Sequence, residues 1–133
     1  MKKIGLFTVA LLLLNTIGFS QWNQLGIDID GESLNNQSGY SVSSSADGLT
    51  VAIGAPVNGS SAGHVRVYKY SSGLWIQQGA DIDGEAIGDG SGKSVSISAD
   101  GLTLAIGAPE NDGNGTDAGH VRVYKNVAGV WTQ

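Results

Sequence analysis

One pattern of about fifty residues is stated twice in this chain and begun a third time. The unit that opens at Trp22 returns at Trp75, and a third copy opens with Trp131, Thr132 and Gln133. The spacing is 53 residues and then 56, because three residues are inserted after the second Gly-Ala-Pro. A period of this length, made of short alternating segments, belongs to propellers and solenoids. In those folds one unit cannot bury its own faces and must stack on a neighbour.

Residues 1–20 stand outside the repeat. Lys2 and Lys3 give a basic start, Ile4 to Leu14 is apolar apart from Gly5 and Thr8, and Gly18-Phe19-Ser20 places small residues before Gln21. This layout predicts a secretory signal peptide. The apolar run stops at Asn15 and Thr16, short of the roughly 20 residues that a spanning helix needs. The expected organisation is a signal peptide over 1–20 and a repeat domain over 21–133. Its units run 22–74 and 75–130, and the next opens at 131. The expected location is secreted or at the cell surface, with no membrane insertion once the signal is cleaved.

The chain has no cysteine, which removes disulfides and a lipid-anchoring thiol from consideration; an exported protein without them fits a bacterial source. With the two signal lysines set aside, twelve acidic residues face five basic ones. Phosphate binding needs clustered Lys and Arg, so this balance argues against nucleic acid and anionic membranes as partners.

Each unit reads as four strands. Lys93 to Ser98 alternates Val95 and Ile97 with serines, Asp100-Gly101 follows, and Leu102 to Gly107 then alternates large with small residues. An Asp-Gly pair between alternating runs predicts a hairpin in which both turn residues take positive φ. The first copy carries the same pattern around Asp47-Gly48. Third strands are expected at His64–Lys69 and His120–Lys125. The fourth opens at the tryptophan, from Trp75 towards Ile82.

A bulky face of Leu102, Leu104 and Ile106 opposes a small face of Thr103, Ala105 and Gly107, as sheet-on-sheet packing requires. The fold class predicted is therefore all-β: four-stranded antiparallel blades of a β-propeller, here two blades and the start of a third unit in an incomplete ring. Because each copy opens on an outer strand, Trp75 to Ile82 should pair with His64 to Lys69. Residues 22–29 should lack an antiparallel neighbour.

The stretches Ser38-Gly39-Tyr40-Ser41-Val42, Val51 to Pro56 and Gly63 to Tyr68, with their second copies at Ser91 to Val95, Gly107 to Pro109 and Gly119 to Tyr124, resemble the FG-GAP repeat. That repeat builds the seven-bladed propeller of integrin α-subunits and of many secreted bacterial proteins. The resemblance implies a non-enzymatic module for extracellular binding or adhesion. Two departures matter. Serine (Ser38, Ser91) replaces the family's Phe, and the tight Asp47-Gly48 and Asp100-Gly101 turns stand where integrin-type repeats carry a calcium loop. One acid cannot supply the six to eight oxygens of a Ca²⁺ site, so the family's calcium sites are not carried over.

Candidate chemistry is sparse, and no catalytic, cofactor-binding or metal-ligating residue is assigned. Asp28-Ile29-Asp30-Gly31-Glu32 and Asp81-Ile82-Asp83-Gly84-Glu85 resemble the start of an EF-hand loop. However, Asp81 and Asp83 on a strand stand about 6.6 Å apart, too far to share an ion. The inserted loop Glu110 to Asp117 is the first place to look for Ca²⁺, although Asx-Gly pairs are ordinary turn formers. His64 and His120 recur with the fold, unlike an asymmetric catalytic pair, and no G-x-S-x-G elbow accompanies the serines. Arg66 and Arg122 are weak markers of a binding face. Trp22, Trp75 and Trp131 read as packing anchors before sugar-stacking platforms.

The functional expectation is an extracellular binding or adhesion module whose partner is an extracellular protein or glycan, attached to further propeller blades. The alternatives are a structural propeller segment that positions another domain, and a calcium-dependent carbohydrate-binding module.

Overall fold

The computed structural model describes residues 21–133; the expected signal peptide lies outside the described residues. The chain forms two antiparallel sheets, not closed into a ring. The first contains β1 (Ser41–Ser44), β2 (Thr50–Ala55), β3 (His64–Ser71), β4 (Leu74–Gln77) and β5 (Ile82–Asp83). The second contains β6 (Ser94–Ile97), β7 (Thr103–Ala108), β8 (His120–Val127) and β9 (Val130–Thr132). Sheet order follows chain order, and β5 joins as a second partner of β3. A four-residue turn, Asn58–Ser61, with Gly59, Ser60 and Ser61 at positive φ, lies between β2 and β3.

The outer edge forms as the repeat phase requires. Trp75 faces Tyr70 and Gln77 faces Tyr68, then Ile82 faces Val65 and Asp83 faces His64. In the second sheet Trp131 faces Asn126 and Thr132 faces Lys125. Residues 22–29 carry no strand. The outer strand of a sheet therefore comes from the copy of the repeat that follows it.

The hairpins are as expected in place but not in geometry. Gly48 and Gly101 take φ of 70° and 72°, whereas Asp47 and Asp100 keep negative φ. The turn is longer than a two-residue loop. The Gly48 amide closes on the Ser45 carbonyl at 3.0 Å, and the Asp47 carboxylate accepts from the Ser45 hydroxyl (2.6 Å) and the Leu49 amide (2.9 Å). Serine two residues before aspartate thus replaces the second positive-φ residue with side-chain hydrogen bonds. Ser98 and Asp100 repeat the arrangement.

These bonds have a pH consequence. The Ser45 hydroxyl, then the Leu49 amide, hold the Asp47 carboxyl below its ordinary value of 3.8, and Ser98 and Leu102 do the same for Asp100. A carboxyl whose folded value lies below its unfolded one stabilises the fold fully above the unfolded value. That contribution is lost as pH falls through the folded one. The double variant Asp47→Asn/Asp100→Asn should therefore show a shallower fall in melting temperature below about pH 4 than the parent chain. Parallel acid limbs in a calorimetric pH series would refute this.

The two sheets pack face to face. In β6 to β8, Val95, Ile97, Leu104, Ile106 and Tyr124 share one face, and this face forms a common core with Ala52, Val65, Val67 and Ile82 of the first sheet. Large residues thus meet small and β-branched ones, which brings backbones close. The Ser41 hydroxyl reaches the Gly92 carbonyl at 2.7 Å, the Ile97 amide reaches the Ser43 hydroxyl at 3.1 Å, and the Ala46 amide reaches the Ala99 carbonyl at 3.0 Å. The serines of the small face therefore bond across to the neighbouring sheet. Leu102, expected on the bulky face, instead precedes β7 and is 47% exposed. It belongs to the turn, where its amide donates to the Asp100 carboxylate at 2.9 Å.

Candidate functional site at the junction between repeats

Each His-Val-Arg-Val-Tyr strand is held by the Asp-Ile-Asp-Gly-Glu segment that opens its own copy. Arg66 donates through Nη2 to the Asp30 carbonyl at 2.8 Å, its Nη1 stands 3.8 Å from Glu32 Oε1, and its guanidinium lies 5.6 Å from the Tyr68 ring centre. Arg122 repeats the set with the Asp83 carbonyl, Glu85 and the Tyr124 ring. Both arginines are buried. They are struts between segments and do not present a binding face. Burial raises the Tyr68 and Tyr124 hydroxyls above their ordinary values, against a lowering by the adjacent arginine.

The tryptophans close the same junctions. Trp75 Nε1 donates to the Leu25 carbonyl at 2.8 Å, and Trp131 Nε1 donates to the Gln78 carbonyl at 2.9 Å. Trp75 also packs on Tyr70, with ring centres 5.2 Å apart, and Trp131 packs against the common core. Both are only half-buried, and Trp22 is 96% exposed. Two of the three act as anchors, each fastening the segment one period earlier. The third, Trp22, has no preceding strand in the described residues against which to pack.

Neither acidic segment gathers three ligand side chains of its own among the described residues. Ile82 turns inward and Asp83 outward on β5. What the fold brings together is one acid from each copy around one histidine. Nδ1 of His64 stands 3.7 Å from Glu32 Oε2 and 3.6 Å from Asp81 Oδ2, and the ligand atoms of the three residues all lie within 4.8 Å of one another. This is a group of side chains that can hold a metal ion, and among the described residues no other such group of three occurs. In the second sheet Glu85 and His120 recur at 3.6 Å. Neither histidine hydrogen-bonds a serine among the described residues, so no nucleophile–base pair is assembled.

Several polar groups of the loop from Glu110 to Asp117 bond within it or to its surroundings, although Glu110 Oε2 is buried without a partner. Glu110 pairs with Lys93, Asn111 donates to Asp89 at 2.9 Å, and Asp112 Oδ1 accepts from the Asp117 amide at 2.8 Å. Its carboxylates do not converge.

The Glu32–His64–Asp81 cluster was not foreseen, because its two acids lie 49 residues apart in the chain. The signal that could have found it is the fixed pairing of Asp-Gly-Glu with Gly-His-Val-Arg in each copy. Both duplicate together, as residues in mutual contact must.

The two stacked sheets define a class: antiparallel sheets that pack face to face without closing into a ring, an arrangement consistent with an incomplete propeller. Residues 81–124 match the family model described as the FG-GAP repeat, which places an FG-GAP repeat segment across β5 to β8. No curated protein matches the chain. Among the described residues no helix is long and apolar enough to cross a membrane.

Proposed function

We propose that the chain is a blade-building segment of an exported, non-enzymatic propeller that serves extracellular binding or adhesion, with a protein or glycan as its partner. One observation carries the stacking part of this reading. Val65 and Val67 of β3 are 0% and 2% exposed because they share a core with Ile97, Leu104 and Ile106 of the second sheet. Their equivalents in β8, Val121 and Val123, are 67% and 53% exposed on the corresponding small-residue face. An identical face, buried in one sheet and open in the next, is the docking surface for a further blade.

The reading predicts concentration-dependent self-association of the chain by analytical ultracentrifugation, since a second copy offers the nearest substitute for that blade. Val121→Lys/Val123→Lys should give a monomer with an unchanged far-ultraviolet spectrum. A monodisperse parent chain at high concentration would defeat the stacking reading. Export is tested separately: the secreted protein should begin at Gln21. Binding to extracellular-matrix proteins or a glycan array would support adhesion, whereas its absence from a ring with all its blades would favour a purely structural segment.

A further inference from the structure

We propose that Glu32, His64 and Asp81 form a Zn²⁺ site that ties one repeat to the next. The histidine side chain is 2% exposed and makes no hydrogen bond among the described residues, yet its Nδ1 faces two carboxylate oxygens. Those separations, 3.6 and 3.7 Å, are too long for hydrogen bonds. They are close to the roughly 3.4 Å that separates neighbouring ligands on a tetrahedral zinc with bonds of about 2.0–2.2 Å.

The remaining oxygens are already committed, which leaves the inner ones for an ion. Asp81 Oδ1 accepts from Gln77 Nε2 at 2.7 Å, so Oδ2 is the one turned towards His64. Glu32 Oε1 faces Arg66 while Oε2 faces the imidazole, with only a 3.3 Å bond from Asn58. Supporting partners of this kind orient ligands and set their basicity. The two carboxylates are 42% and 29% exposed, which gives an ion a route in from solvent.

One imidazole nitrogen and two carboxylates select zinc or a neighbouring transition ion over Ca²⁺, which takes six to eight oxygens. The three ligands come from the segment before β1, the first residue of β3 and the segment before β5. A bound ion therefore cross-links the start of one copy, its third strand and the start of the following copy.

The experiment is titration of the metal-stripped chain with Zn²⁺ by calorimetry and thermal melting. One equivalent should bind, and Zn²⁺ at a hundredfold excess over its dissociation constant should raise the melting midpoint by about 10 °C. Glu32→Gln and Asp81→Asn, both at partly exposed positions, should keep the fold and lose at least about 100-fold in affinity. Asp112→Asn should bind as the parent does. Co²⁺ in place of Zn²⁺ should give the intense visible absorption of a four-coordinate ion in the parent and lose it in both of the first two variants. Absence of a stoichiometric isotherm, or one that survives Glu32→Gln and Asp81→Asn, would overturn the proposal.

Discussion

Leu104→Ala should destabilise the chain by about 3–4 kcal/mol, as measured by the urea midpoint at unchanged slope. Leu104 is fully buried, paired with Ile97 and Tyr124 within its own sheet and packed against the small face of the other. Truncation leaves a void that neither sheet can collapse into, because each side is held by a strand ladder. The cost therefore combines lost transfer energy with an unfilled cavity. Leu102→Ala is the matched control: that side chain is 47% exposed, and its removal should change stability by no more than about 0.5 kcal/mol. Equal effects at the two positions would mean that the sheets do not pack through the face described.

The second large effect is expected at Gly63, where two penalties coincide. Its φ is +76°, and a Cβ placed there would lie 2.1 Å from the Ser91 carbonyl oxygen and 2.6 Å from the Ser91 nitrogen. Gly63 and Ser91 form a parallel bridge between the two copies, so neither backbone can retreat without breaking it. Gly63→Ala should cost about 3 kcal/mol or more, the sum of conformational strain and overpacking. Gly73→Ala separates the terms, since Gly73 has φ +91° with nothing within 4 Å of its Cβ position. Only the strain remains there, about 1 kcal/mol. A Gly63 variant no worse than the Gly73 variant would show that the junction is loose.

Much of this fold is legible in the residues. Alternation in Ser94–Ile97 and Thr103–Ala108 specifies strands, Ser-Ala-Asp-Gly specifies the reversal, and the recurrence of Trp75 and Trp131 fixes which copy supplies the outer edge. Large against small on β7 correctly implies stacking. What escaped is what depends on the third dimension. Ser41 and Ser43 read as one polar side of an alternating strand, and nothing local shows that their hydroxyls reach the next sheet. Arg66 and Arg122 are charged, so burial is unexpected until the Asp30 and Asp83 carbonyls are seen to receive them. The ion-binding cluster was hidden for a related reason. Within one copy Asp81 and Asp83 are the obvious pair, but on a strand they stand about 6.6 Å apart, too far to share an ion. The partner of Asp81 is instead an acid from the previous copy.

The offset between sheet and repeat has a further consequence for how such a gene can change length. Because β4 and β5 belong to the following copy, the first sheet is contiguous in the chain yet does not coincide with one copy of the repeat. Exchange between misaligned copies in register removes or inserts one full period wherever the crossover falls. At every such join the outgoing third strand still meets an outer strand of the right sequence, and the histidine that opens it keeps the glutamate of its own copy, as His64 keeps Glu32 and His120 keeps Glu85. The number of repeats can drift by whole steps without any junction having to be reinvented. The three-residue insertion after Pro109 lies in the loop between β7 and β8, which is held by Asp89 and Lys93 of its own copy.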